Sequence, residues 1–391
     1  MLPTLELEAK RKAYLIGLLE AIGQQLDPTD SQYDRAKTSY EAVGAWLTSA
    51  ESDFLKTGEV SPHGSIRIQT ANRPWIGAEF DVDLLVVLSD IGSTSNPGAV
   101  KKLVGDRLKE HELYRDMLRE KNRCWQLRYE GEFHLDVTPA ILNSRCSNGG
   151  LLVPDKNHRV WKPTHPIAYA DKFEYRARLQ PRYRSVAFAE AKADVEGLPE
   201  PQRHKGVLKR GVQLCKRHRD VRFASQDSSL APISVVVTTL LAWSYEECVR
   251  SGEYDHELDL FIEAVRGMPK FIQTTRVGKD TIYMIPNETT EGENFAEKWN
   301  EDSRRADAFF NWHRDAVTTL EEFVSIQGED ALSGHLSKAF GKSVVQPVFN
   351  KIDQAINAAR SARRLSIAGA LGVTTASNSA PLRPNSFYGR R

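Results

Sequence analysis

Apolar residues recur at helical spacing along the first seventy positions. Leu15, Leu18, Leu19 and Ile22 share one face, and Ala36, Tyr40, Val43 and Leu47 share another after a cap expected at Asp30 or Ser31. The segment "SPHGS" reads as the loop that ends these helices. The period then changes: "DVDLLVVLS", "CWQLRYE" and "FHLDVTPA" are short runs of β-formers, the last two joined by Gly131 as in a tight hairpin. Between the first and second lies the helix-patterned "NPGAVKKLVGDRLKEHELYRDMLRE". This order of strand, helix, strand, strand predicts an α/β (α+β) fold with a small mixed sheet under helical cover.

From Lys205 the pattern is helical again, through "HKGVLKRGVQLCKRHRD", "ISVVVTTLLAWSYEECVRSG" and "NFAEKWNEDSRRADAFFNWHRDAVTTLEEFV". A second, helical lobe is therefore expected. Residues 143–204, rich in Pro, Arg and polar side chains, read as a long, partly irregular connection. The end, "TTASNSAPLRPNSFYGRR", has no periodicity and reads as a flexible tail. The expected division is 1–165 for the sheet with its N-terminal helices, 166–375 for the helical lobe that closes a cleft, and 376–391 for the tail.

Composition narrows the class. The 53 basic and 52 acidic side chains nearly cancel, so no global field draws the chain to nucleic acid or an anionic membrane, and any basic function must be local. The N-terminal segment reads as an amphipathic helix rather than a signal peptide. The longest apolar stretch, from Ile233 to Trp243, falls far short of the roughly 20 residues that span a bilayer. Cys124, Cys146, Cys215 and Cys248 lie far apart with no C-x-x-C, as reduced thiols do, and no structural zinc is expected. A soluble, cytoplasmic protein with no membrane partner is the expectation.

The chemistry-bearing stretch is "HGSIRIQTANRPWIGAEFDVDLLVVLSD", His63 to Asp90. In a strand, residues two apart point the same way, so Asp81 and Asp83 share a face that continues through Leu85 and Val87. Asp136 lies on the face opposite Phe133, Leu135 and Val137, and a mixed sheet brings it beside the first pair. Three converging carboxylates repel one another unless cations neutralise them. Oxygen ligands without His or Cys suit magnesium or manganese, and two such ions form the clamp for phosphoryl transfer. The plainer alternative is that Asp81 and Asp83 end an edge strand in water and Asp136 caps a turn before Pro139. Upstream, Gly64 permits close backbone approach, and Ser65 offers a hydroxyl and an amide to phosphate oxygens.

Gly-Ser, D-x-D and a later single Asp together resemble the nucleotidyltransferase superfamily of DNA polymerase β. More narrowly, "HGSIRIQT", "DVDLLVVL" and "FHLDVTPA", followed by the "LKRGVQLCKRHRD" helix, resemble the CD-NTases, the bacterial cGAS/DncV-like nucleotidyltransferases related to oligoadenylate synthases. "IPNETTEGENFAEKW" resembles the Pro-Asn and Asn-Phe-x-x-x-Trp region of that family's helical lobe, so the likeness spans about residues 10–370. Fifteen residues separate Ser65 from Asp81, slightly more than is usual in the family.

The resemblance implies a bilobal, metal-dependent enzyme that joins nucleoside triphosphates, ATP among them, into a cyclic di- or trinucleotide. It implies a role in antiphage signalling (CBASS), where the product activates a separate effector. Asp81, Asp83 and Asp136 are then the catalytic and metal-holding residues for two Mg2+ or Mn2+ ions, and Gly64 and Ser65 cradle the triphosphate. On the helix from Lys205, Lys205, Lys209 and Lys216 form a stripe beside Leu208, Val212 and Cys215. Lys216 matches the family lysine that contacts triphosphate, while Lys205 and Lys209 are either electrostatic support or a solvated face. Ser234 matches a phosphate-contacting serine, and its alternative is a helix N-terminal hydroxyl. Thr70 and Arg67 follow Gly-Ser and face either nucleotide or solvent. Val235 stands where some relatives carry a stacking Tyr, so stacking must come from elsewhere. Without a zinc ribbon, double-stranded DNA sensing is not expected, and the tail is a candidate dock for a regulatory protein. Two alternatives remain open: modification of an RNA end or protein side chain, for which the Arg-rich "RARLQPRYRS" is the candidate platform, and a non-catalytic nucleotide-binding or partner-binding module.

Overall fold

The computed structural model describes residues 2–49, 53–75, 80–129, 131, 133–155, 159–184 and 205–362, together with 366–368, 372–374 and 380–381. Helices α1 (Leu2–Leu26), α2 (Asp30–Thr48) and α3 (Asp53–Lys56) lead into β1 (Glu59–His63), the short α4 (Gly64–Arg67) and β2 (Phe80–Val87). Then come α5 (Pro97–Glu110), α6 (Glu112–Met117) and strands β3 (Leu118–Glu120), β4 (Trp125–Tyr129), β5 (Phe133–Leu142), β6 (Leu151–Asp155) and β7 (Val160–Thr164). The cap of α2 is Thr29, one residue before the expected start. Its hydroxyl accepts from the Gln32 amide while the Gln32 side chain accepts from the Thr29 amide, which satisfies donors at both positions.

Two loop expectations are corrected. "SPHGS" is not a loop throughout, because Ser61–His63 extends β1 against β2, where pairing satisfies backbone groups that a loop would leave to water. Residues 143–204 are not simply a connection: they hold β6, β7 and α7 (Pro166–Ala177). Pro163 and Pro166 misled the reading; Pro163 sits in β7 at the edge of the sheet and Pro166 occupies the first turn of α7, places that do not need its missing N–H.

The sheet runs β1-β2-β5-β4-β3, with β6 beside β5 and β7 beside β6. Only the β2–β5 pair within it is parallel, joined through α5, α6, β3 and β4. One face packs Val82, Leu84 and Val86 of β2 with Leu135 and Val137 of β5 against Val43 and Leu47 of α2 and Val104 and Leu108 of α5. Such burial is worth about 1.5–3 kcal/mol per aliphatic side chain, enough to fix which face of β2 is turned inward. Asp81 and Asp83 necessarily occupy the other face, with Leu85 and Val87 beyond them.

The second half is helical: α8 (Gly206–Phe223), α9 (Ser234–Ser251), α10 (Glu257–Gly267), a hairpin of β8 (Gln273–Val277) and β9 (Asp280–Met284), then α11 (Glu297–Glu301), α12 (Arg304–Ser325), α13 (Glu329–Phe340) and α14 (Lys342–Ser361). Helix α1, counted by sequence with the sheet, gives Leu15, Leu18, Leu19 and Ile22 to the core formed here by Val212, Val237, Phe309 and Trp312. Short strands β10 (Ser366–Ala368), β11 (Gly372–Thr374) and β12 (Ala380–Pro381) pair with one another, so strand structure reaches into the segment expected as tail, the rest of which lies outside the described residues.

Candidate functional site

Two backbone pairings place the acids. β2 and β5 run parallel with Asp83 opposite Asp136 and Asp81 opposite His134, so the three carboxylates share one face of the sheet, Asp83 and Asp136 at one level and Asp81 two residues earlier on β2. On the other side of β2, β1 runs antiparallel with His63 opposite Asp83, which delivers Gly64 and Ser65 to the same spot. Gly64 turns the chain with φ +64°, and a Cβ there would lie 2.1 Å from Asp83 Oδ2. Only glycine combines that backbone with so close an approach.

Crowding and burial act on the acids together. Burial first, then the neighbouring Asp136, push the Asp83 carboxyl up to about 7; burial, then Asp83 and Asp136, push Asp81 up to about 6, although its side chain still meets solvent. His63 is driven the other way, down to about 4, because burial disfavours its charged form, and its Nε2 has no partner. The amine of Lys216 also faces this cluster, and burial lowers it to about 8.

Among the described residues, no three His, Cys, Asp or Glu side chains already stand as a closed ligand set. Like charges aligned in register hold one another apart, so closing the aspartates on a common point needs a cation between them. The donor set of three carboxylates fits a hard divalent ion that prefers oxygen ligands.

The aspartates stand in a cavity of about 920 Å³ between the sheet and the helices. Of the residues singled out by sequence, Gly64, Ser65, Thr70, Asp81, Asp83, Asp136, Lys216 and Ser234 all line it. Lys216 donates to the Thr70 carbonyl at 3.0 Å, which ties α8 to the loop after Gly-Ser. The Thr70 hydroxyl is buried without a partner in the chain. Ser234 opens α9 and accepts from Arg219 at 3.0 Å.

The rest of the lysine stripe goes elsewhere. Lys205 pairs with Asp27, and Lys209 with Glu174 and Gln69, so neither amine lines the cleft. Periodicity placed them on one stripe, but α8 is buried nearly all round and its faces meet different neighbours. Arg67 pairs with Asp171 outside the cavity lining.

The sequence reading missed Trp75, Tyr169 and Phe295, three aromatic side chains that line the cavity together with Val235. It also missed Arg219, Asn287 and Glu293. The stretch holding Asn287 through Phe295 had been marked by resemblance, but nothing in the spacing of Trp75 or Tyr169 distinguishes them from core aromatics.

The chain is similar to known proteins in sequence and in fold. Residues 18–176 match the Second Messenger Oligonucleotide or Dinucleotide Synthetase domain. The chain is 26% identical over 382 residues, 97% of its own length and 98% of the relative's, to a c-di-GMP synthase of Roseivirga ehrenbergii. It is 24% identical over 300 residues, 72% of this chain and 68% of the relative, to the cyclic dinucleotide synthase CdnG of Bradyrhizobium diazoefficiens. Solved structures agree on the fold. The Bradyrhizobium diazoefficiens CdnG complex with GTP superposes with a TM-score of 0.65 at 19% identity, covering 87% of this chain and 99% of that one. The Vibrio cholerae DncV cyclic AMP-GMP synthase with nonhydrolyzable GTP superposes with a TM-score of 0.52 at 16% identity, covering 88% and 89%. With the Gly-Ser turn and the register of the three aspartates in place, residues 18–176 carry the match to that synthetase domain, and the whole chain has the fold of the CD-NTase structures CdnG and DncV.

Proposed function

We propose that the chain condenses nucleoside triphosphates through phosphodiester bonds, with release of pyrophosphate, and closes the product into a cyclic dinucleotide second messenger for which GTP is one substrate. The observation that carries this reading is the register of Asp83 with Asp136 above a Gly64 that leaves no room for a side chain. The choice of a dinucleotide, and of guanine, is supported by the names of the two curated relatives and by the GTP bound in the CdnG structure. An antiphage signalling role, with the product acting on a separate effector, goes with the same family.

Asp81, Asp83 and Asp136 would hold two Mg2+ or Mn2+ ions, which when bound acidify the attacking hydroxyl and neutralise the triphosphate. The chain's own groups do the rest. Lys216 spends one donor on the Thr70 carbonyl and keeps others for phosphate oxygens. Ser234 accepts from Arg219, which leaves its own proton to donate toward phosphate. The amides of Gly64 and Ser65 meet the triphosphate where no Cβ intervenes. Trp75, Tyr169 and Phe295 offer the aromatic surface for the bases.

The Arg-rich run gives little support to RNA-end or protein modification. Arg176 is held by Glu246 and Glu288 within the fold, and Arg182 and Arg184 stand 3.9 Å and 3.8 Å from the exposed Glu253 and Asp255, so acidic side chains accompany three of the run's four arginines. No helix among the described residues is long and apolar enough to cross a membrane. A regulatory protein at 376–391 remains a proposal that deletion of the segment tests in cells.

The deciding experiment incubates the full chain with the four ribonucleoside triphosphates and Mg2+ or Mn2+, beside an Asp81→Ala/Asp83→Ala control. The expected product is a phosphatase-resistant cyclic dinucleotide containing guanine, absent from the control. A linear product alone, or label transferred to RNA or protein, overturns the reading.

A further inference from the structure

One side chain beside the three carboxylates is neither acidic nor part of any motif. Gln126 stands in β4, where Trp125, Gln126 and Leu127 are all buried, Gln126 itself to 8% exposure. A buried amide needs its hydrogen bonds met inside the protein. Register supplies the partner: β4 runs antiparallel to β5 with Gln126 directly across from Asp136, and its Nε2 donates to Asp136 Oδ1 at 2.9 Å. The Cys124 thiol, two residues earlier, hydrogen-bonds the same carboxylate.

The chemistry of that contact is specific. The terminal torsion of an aspartate is broad and roughly two-fold, so an unsupported carboxylate samples many rotations. Asp136 is held from the β4 side while Asp83 flanks it from the β2 side. The donor is neutral, and that matters: an Arg or Lys in its place would neutralise Asp136 and compete with any cation the carboxylates share. An Asn would fall one methylene short.

We infer that Gln126 is a positioning residue for nucleotidyl transfer, whose amide fixes the rotation of Asp136 so that this carboxylate and Asp83 serve a common divalent ion. The inference rests on the functional reading above.

The test uses the full chain with Gln126→Met, which keeps volume and removes the donor, and with Arg128→Met, an exposed position on the same strand, as control. Two readouts are taken: steady-state turnover with GTP, and Mn2+ binding by the free-ion electron paramagnetic resonance signal in the presence of a non-hydrolysable GTP analogue. For Gln126→Met, kcat is expected to fall about 10- to 100-fold with KM for GTP unchanged, and Mn2+ affinity to weaken by a similar factor. Arg128→Met is expected to match wild type in both. If Gln126→Met melts below the assay temperature, Gln126→Asn decides by the same two readouts, since it keeps the buried polarity but not the reach. Wild-type turnover and wild-type Mn2+ affinity in the Gln126 variant overturn the inference while the functional reading stands. A wild type that makes no product, with Mn2+ affinity still dependent on Gln126, overturns the functional reading and leaves the positioning role in place.

Discussion

Gly64→Ala adds one methyl group at the point where backbone conformation and active-site geometry meet. The residue has φ +64°, and the new Cβ would lie 2.1 Å from Asp83 Oδ2 and 2.9 Å from its Cγ, against a floor near 3.0 Å for real contacts of this kind. The left-handed backbone costs a residue with a Cβ about 1–2 kcal/mol. Relieving the overlap costs about 1–3 kcal/mol if the surrounding fold must move. Rotation of the Asp83 side chain is the easier escape, and it converts the clash into a displaced carboxylate; misplacement of about 1 Å at a reacting centre costs roughly 100-fold in rate. Gly131→Ala supplies the control, because it shares the left-handed backbone at φ +74° but meets nothing within 4 Å. The assay is cyclic-product formation, with thermal melting of both variants. Gly64→Ala is expected to lose about 100-fold in turnover with a modest fall in Tm, whereas Gly131→Ala shows the fall in Tm alone. Equal turnover in the two variants would refute the claim that Gly64 is glycine to admit Asp83.

Three further outcomes follow from the same contacts. Asp83 titrates near 7 in the fold against 3.8 unfolded, so its contribution to stability is complete only below 3.8 and is lost as pH rises toward 7; metal-free wild type should lose Tm across that window, and Asp83→Asn should flatten the loss while abolishing turnover. Lys216→Ala should raise KM for GTP about 10- to 100-fold, the value of a charged hydrogen bond, while Lys205→Ala and Lys209→Ala leave KM unchanged and lower Tm, because their partners are Asp27 and Glu174; steady-state kinetics with melting curves separates the three. Arg210→Ala should destabilise the fold by about 3–5 kcal/mol in denaturant unfolding, since it leaves the Glu20 and Asp27 carboxylates without the guanidinium they share.

The acids were legible in the sequence because strand alternation is a local property. Burying Val82, Leu84 and Val86 on one side dictates that Asp81 and Asp83 emerge on the other, and the same period fixes Asp136 in β5. Gly64 was legible for a similar reason, since a glycine ahead of such a pair marks a close backbone approach. Periodicity also gave the correct apolar stripe of α8, Leu208, Val212 and Cys215. What it did not give was the destination of each lysine. That depends on which neighbour covers each face of a helix buried nearly all round, and those neighbours, Asp27, Glu174 and the Thr70 carbonyl, come from segments 35 to 178 residues away.

The cavity wall shows the same division. Trp75, Tyr169 and Phe295 carry no periodic mark that separates a ring lining a cavity from one facing the core. Gln126 left one local sign, a polar side chain inside an apolar strand, but its role needed β4 to settle against β5 in the register that sets it opposite Asp136. The sequence by itself determined which residues carry charge, which face of each strand they occupy and where the chain turns without a side chain. Tertiary structure alone decided which charges neutralise one another and which remain for a ligand, because pairing between strands and packing between helices bring together groups whose separation along the chain holds no record of their contact.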